Sequence, residues 1–270
     1  MTFGNINTSS LISSSSGSVT NSLYSNQATF NTSDNCYYVF EYGNTAYTGK
    51  LHKITIGGTV TTYTNGGGTQ ATVGLVYNPV TNKLYCLQRS VSGVGSVAEV
   101  TLSGSSYIVT PIASAPGTAG WVVPTTSTVD NGTGDVYFAM SDATYTIAKY
   151  HPGATSTTVV TSGTGGTYMG LRFNPNDNML YAIKETPSFT VADEFVKITP
   201  AGTVSTLATL PFSVNPDFYS TTLDRCSNRY ILSTHIGSPT TNVVVQVNMS
   251  GTIVQTDTTA GLYQGLDILY

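Results

Sequence analysis

The sequence predicts an all-β chain folded as a closed ring of repeated four-stranded sheets. Three observations predict it: a recurring turn that ends on Tyr, the near absence of a helical period, and spare strands at the two ends of the chain. A polar turn that opens on Asn or Asp and closes on Tyr occurs five times, at 31–38, 78–85, 130–137, 174–181 and 224–230. The closing residues Tyr38, Tyr85, Tyr137, Tyr181 and Tyr230 are spaced 47, 52, 44 and 49 residues apart. A period of that size, carried on strands, belongs to a repeat architecture running through one domain, 1–270.

Each repeat divides into strands a to d. The second repeat gives 72–77, 83–88, 96–101 and 106–111, and the fourth gives 169–173, 179–184, 194–199 and 202–207. Thr, Val and Tyr dominate these runs, as half-buried strands require. Asn-Pro at 78–79 and 174–175 opens two a–b turns, where proline presets φ for the second turn position. Gly58, Gly202 and Gly251 sit in the c–d hairpins, where positive φ is wanted. The repeats then run 28–66, 72–114, 124–162, 168–210 and 219–258. A sixth strand a stands at 265–270, and 2–16 reads as outer strands that lack an inner partner. Sharing one closing blade between the termini removes the free sheet edges. A five-bladed ring with the terminal strands as an appendage is the alternative.

The pattern Gly-Leu-x-Tyr/Phe-Asn followed by Leu-Tyr occurs at Gly74 to Asn78 with Leu84 and Tyr85, and again at Gly170 to Asn174 with Leu180 and Tyr181. With it the whole chain resembles six-bladed β-propellers of the NHL/TolB-like kind. The resemblance implies that strand a is innermost and that the d–a and b–c connections share the face where ligands usually sit. It also implies a second possibility, since some such propellers are metal-dependent hydrolases of lactones or phosphoesters with a divalent cation on the channel axis.

Charged residues make up only 9% of the chain, so Ser, Thr, Asn and Gly must provide solubility. With 10 Lys+Arg and a net charge of −4 there is no basic stripe for phosphates, and no nucleic-acid partner is expected. No apolar run reaches the ~20 residues of a membrane helix, and the N-terminus has no signal-peptide pattern. The composition suits an extracellular or surface-exposed protein. Cys36, Cys86 and Cys226 show no metal spacing and read as packing residues.

On the predicted ligand face the d–a segments supply Tyr24, Trp121, Tyr168, Phe218, Tyr219 and Tyr263. Such rings could be stacking platforms for a glycan, or blade-packing residues, which would also recur once per blade. The b–c ends supply Glu41, Arg89, Asp142, Glu185 (beside Lys184) and His235. At the strand-a level of Val76 the repeats read Thr29, Val76, Thr128, Arg172, Thr222 and Asp267, so Arg172 and Asp267 are expected to face or bridge the channel. No catalytic residue is assigned. A hard-cation site wants several convergent carboxylates, and the inner strands offer Asp267 alone. Calcium in the Asn/Asp-rich turns at 130–135 or 174–178 competes with simple Asx-turn formation. The residues therefore favour a non-enzymatic binding or structural module, lectin-like or an adhesion or assembly subunit, whose partner is a surface glycan or protein, or further copies of itself.

Overall fold

A computed structural model describes residues 28–41, 49–66, 71–89, 95–116, 126–141, 145–163, 166–186, 192–214, 219–236 and 241–259. Blade 1 comprises β1 (Ala28–Asn31), β2 (Cys36–Glu41), β3 (Lys50–Thr55) and β4 (Val60–Asn65). Blade 2 comprises β5 (Ala71–Asn78), β6 (Lys83–Arg89), β7 (Gly95–Ser103) and β8 (Ser106–Ala115). Blade 3 comprises β9 (Thr126–Val129), β10 (Val136–Ser141), β11 (Tyr145–Tyr150) and β12 (Thr158–Gly163). Blade 4 comprises β13 (Tyr168–Asn174), β14 (Met179–Lys184), β15 (Glu194–Ile198) and β16 (Val204–Thr209). Blade 5 comprises β17 (Tyr219–Asp224), β18 (Arg229–Ile236), β19 (Thr241–Asn248) and β20 (Ile253–Thr258). Each blade is an antiparallel meander, and neighbouring inner strands touch in the order β1, β5, β9, β13, β17. The molecule is a β-propeller. The expected closing blade, 265–270 with 2–16, lies outside the described residues.

The repeating turn has a local cause. The side-chain oxygen of its first residue accepts the backbone N–H two residues on: Asn31 from Ser33, Asn78 from Val80, Asp130 from Gly132, Asn174 from Asn176 and Asp224 from Cys226, all at 2.8–3.1 Å. Four residues after that cap the chain turns left-handed, at Asn35, Asn82, Asn178 and Asn228 with φ of 53–57°, and at Gly134 with φ 77°. Asn tolerates that region better than other side chains, which fixes the residue type there. The closing Tyr then enters the core. Tyr38 and Tyr181 each donate the phenol O–H to the turn carboxylate, Asp34 or Asp177, at 2.6 Å, and Tyr85 donates to Thr81 at 3.1 Å.

These tyrosines also fill the spaces between blades. Tyr85 meets Tyr150 of blade 3, Tyr137 stacks on Phe173 of blade 4, and Tyr230 packs against Phe195 of blade 4. Phe40 and Tyr107 do the same between blades 1 and 2. Burying each such ring removes its apolar area from water and contributes about 2–3 kcal/mol. Inner strands of different blades splay too far apart for a continuous ladder, and threonine hydroxyls fill in. Thr29 Oγ1 accepts the Tyr77 N–H, Thr126 the Leu171 N–H and Thr128 the Phe173 N–H, at 2.9–3.0 Å. Gly170 has φ +62° at a bulge in β13 and lets blade 5 approach, with Tyr230 donating to its carbonyl at 2.6 Å.

One join was not foreseen from the sequence. The outer strands β4 and β8 pair in parallel through Thr64–Ser106 and Asn65–Tyr107, so blades 1 and 2 form one eight-stranded sheet. A second parallel bridge, Ser114–Ser156, ties β8 to blade 3. Both cover stretches of outer edge that would otherwise be open to other chains.

Candidate functional site

The five described inner strands converge on a cavity of about 140 Å³ at the a–b end of the channel. One level of its wall is Thr29, Val76, Thr128, Arg172 and Thr222, the positions that the repeat aligns with one another. Its mouth is made by the second residue of four a–b turns: Thr32, Pro79, Asn131 and Arg225. Arg172 is half-buried, and its terminal nitrogens donate to the carbonyls of Ser127 in blade 3 (3.4 Å) and Thr221 in blade 5. Its Nε is buried without a hydrogen-bond partner among the described atoms. With its amide oxygen turned toward blade 5, Asn131 accepts from both terminal nitrogens of Arg225 at 2.8 and 3.1 Å. That contact ties blades 3 and 5 across the mouth.

Most ion pairs among the described residues serve the blades themselves. Lys53 pairs with Asp34 at 2.8 Å and Lys197 with Asp177 at 3.2 Å, each on the carboxylate that also receives the turn's Tyr. The register makes this a repeat feature, since Tyr38 lies opposite Lys53 and Tyr181 opposite Lys197. Asp34 holds the Lys53 ammonium protonated well above its usual range, and burial is the first cause of the raised Tyr38 and Tyr181 phenols. In blade 3, Asp135 instead takes Lys149 at 3.2 Å and His151 at 2.7 Å. Asp130, in the turn considered for calcium, is committed to the Gly132 N–H and the Thr133 hydroxyl, at 2.8 and 2.9 Å.

The residues expected on the opposite rim fare differently. Tyr168 and Tyr219 are 2% and 1% exposed, so neither presents a ring face to solvent. Tyr168 meets Tyr145 edge-on at 4.8 Å, and the Tyr219 hydroxyl accepts the Gly170 N–H at 3.3 Å. At these two positions the aromatic serves packing between strands and blades. Glu185 and His235 are partly exposed at the b–c ends of blades 4 and 5; the Glu185 N–H donates to the Thr167 carbonyl at 2.8 Å, and His235 lies opposite Asn242. Lys184 pairs with Glu194 at 3.5 Å within blade 4. Glu41 ends β2 and Arg89 ends β6, and their side chains lie outside the described residues. Tyr24, Trp121, Phe218, Tyr263, Asp142 and Asp267 also lie outside the described residues.

Sequence reasoning missed Arg225, Asn131 and Asp193. Arg225 and Asn131 follow the first turn residue in their repeats, where two other turns carry Pro, and that departure from the repeat was the available signal. Asp193 is fully buried and stitches blade 4 to the segment that follows β16, accepting from Val214 N (2.6 Å) and Thr186 N (3.1 Å). Burial raises its carboxyl, and these backbone bonds pull the other way. Among the described residues, no three His, Cys, Asp or Glu side chains are grouped to hold a metal. Cys36 and Cys86 are buried, as packing residues should be, whereas Cys226 is exposed on the blade 5 turn. No described helix is long and apolar enough to cross a membrane.

No protein-family model matches the chain, and no curated protein matches it. Solved structures do. A chain of the nidogen/laminin complex superimposes with TM-score 0.60 at 14% identity, covering 85% of this chain and 78% of that one. TolB from Acinetobacter baumannii gives 0.60 at 12% identity over 87% of this chain, which spans only 54% of TolB. A gluconolactonase from Xanthomonas campestris gives 0.59 at 13% identity, covering 88% and 77%. At such identities the likeness establishes the propeller fold and nothing about activity.

Proposed function

We propose that the protein is a non-enzymatic binding or structural module, surface-exposed or extracellular, that works as a rigid disk presenting loops to a glycan or protein partner. The supporting observation is where its few charges go. Lys53, Lys149 and Lys197 latch turn carboxylates, while the described channel wall offers hydroxyls and guanidinium groups. A propeller hydrolase would instead need carboxylates converging on its axial cation. Recognition is assigned to the d–a and b–c rim, through Trp121 and Tyr24 together with Glu185 and His235 at the strand ends.

The experiment is a glycan array and a surface-ligand screen with the wild type and Trp121→Ala. Retained folding with lost binding in the variant supports the rim reading. The alternative, a hydrolase of lactones or phosphoesters with a channel cation, is tested by thermal unfolding with calcium and then with a chelator. A rise of several degrees with calcium, reversed by the chelator, would replace the binder reading with that one.

A further inference from the structure

We propose that the axial cavity at the a–b end is a binding site for a small oxyanion: a sulfate, phosphate or carboxylate group. This stands apart from the rim reading above, because it concerns the opposite end of the channel. Four observations carry it.

First, the cavity wall is rich in donors and holds positive charge. Arg172 and Arg225 reach it from adjacent blades, and none of the described residues lining it is acidic. Second, the described partners of the Arg172 guanidinium are the uncharged carbonyls of Ser127 and Thr221. Carbonyls satisfy N–H groups without neutralising the charge, and Nε–H is left buried without a described partner. A half-buried guanidinium in that state gains from an anion beside it. Third, Thr29 and Thr128 each accept a backbone N–H from the next blade, so each hydroxyl keeps its own proton for donation. Fourth, Asn131 holds the Arg225 fork through both terminal nitrogens, which orients a planar donor set at the mouth before any ligand arrives. A volume of about 140 Å³ holds one such anion with some of its water, or the anionic end of an acidic sugar.

The test uses the full chain and sodium sulfate, with sodium chloride at matched ionic strength as control so that general screening cancels. Calorimetric titration and thermal unfolding should both show a saturable sulfate response in the wild type. Arg225→Gln should weaken sulfate binding about tenfold or more, and Arg225→Lys less, because a lost charge-assisted contact is worth at least that factor. Arg172→Gln removes the blade-bridging bonds and can fail to fold, so Arg225→Gln is the decisive variant. Cys226, exposed next to Arg225 while Cys36 and Cys86 are buried, gives a second readout. Sulfate should slow its modification by a dianionic aromatic disulfide reagent in the wild type and not in Arg225→Gln. Glucuronate and a sulfated monosaccharide, run alongside, tell a free ion from an anion carried on a sugar: tighter binding of either than of sulfate assigns the site to the saccharide. No sulfate response beyond the chloride control overturns the proposal, as does an equal response in Arg225→Gln. So does a response that appears only in Asp267→Asn, which would mean that the chain's own carboxylate already fills the place.

Discussion

Gly170→Ala places a methyl group at a close contact between blades 4 and 5. An added Cβ would overlap the Tyr230 hydroxyl and lie 2.5 Å from Thr221 Cγ2 and 2.8 Å from its Oγ1, both fully buried side chains on the first two strands of blade 5. Three costs accumulate. Holding an L-residue at φ +62° costs about 1–2 kcal/mol. Overpacking a buried contact costs about 1–3 kcal/mol. Displacing Tyr230 breaks its 2.6 Å bond to the Gly170 carbonyl and leaves buried polar atoms unpaired, for about 1–3 kcal/mol more. These overlap, since one shift of Tyr230 relieves the clash while breaking the bond, so about 3–6 kcal/mol is expected. The control is Gly104→Ala, with φ +58° and nothing within 4 Å of an added Cβ, which carries the backbone cost alone. Urea unfolding followed by circular dichroism measures both. If the two variants lose the same stability within about 1 kcal/mol, the blades do not meet at Gly170 as described and the inter-blade account fails.

Other outcomes follow from the same packing. Thr128→Val is nearly isosteric but strands the Phe173 N–H, so it should cost about 1–3 kcal/mol and speed exchange of that amide; unchanged protection would contradict the hydroxyl's role. Asp193→Ala should cost about 2–4 kcal/mol by orphaning the Val214 and Thr186 N–H groups, and a near-neutral result would show that the stitch is dispensable. Burial pushes the Tyr107 and Tyr137 phenols up to about 12 and raises Tyr168 and Tyr230 further. Their folded pKa values exceed the unfolded value near 10, so the stability they contribute is full below about pH 10 and is lost as pH rises through about 12. Melting temperature should therefore hold to about pH 9 and then fall steeply, with phenolate absorbance appearing together with unfolding. Free titration of these rings at pH 10 in a still-folded chain would refute their burial.

The strands and turns were legible because their causes are local. An Asn cap, a left-handed Asn four residues later and a Tyr that closes the turn all lie within eight residues, so the sequence displays them directly. The alignment of Thr29, Val76, Thr128, Arg172 and Thr222 was equally legible, because equivalent positions in a meander point the same way. What spacing does not encode is depth. Tyr168 and Tyr219 begin strands on the expected rim, yet neighbouring blades close over them, and only the ring's geometry decides that. Pairings between strands were hidden for the same reason: Lys53 finds Asp34, and β4 joins β8, through register that no local pattern shows.

The repeat itself indicates which residues the architecture does not require. At the Arg172 level the other described blades carry Thr or Val, so the repeat pattern by itself does not dictate a guanidinium there. The same holds at the mouth, where Arg225 occupies a turn position filled elsewhere by Thr, Pro or Asn. By contrast Lys53 and Lys197 recur with their Asp and Tyr partners, which marks them as parts of the blade. Exposed latches of that kind are worth little each, about 0–1 kcal/mol, but half-burying an arginine on the axis carries a desolvation cost that a neutral Thr would avoid. A chain with only 10 Lys+Arg has therefore placed two of them at axial positions that its other described repeats fill with Thr, Val, Pro or Asn. An anion bound beside Arg172 and Arg225 would offset that cost, so the axis is the first place to look for a ligand.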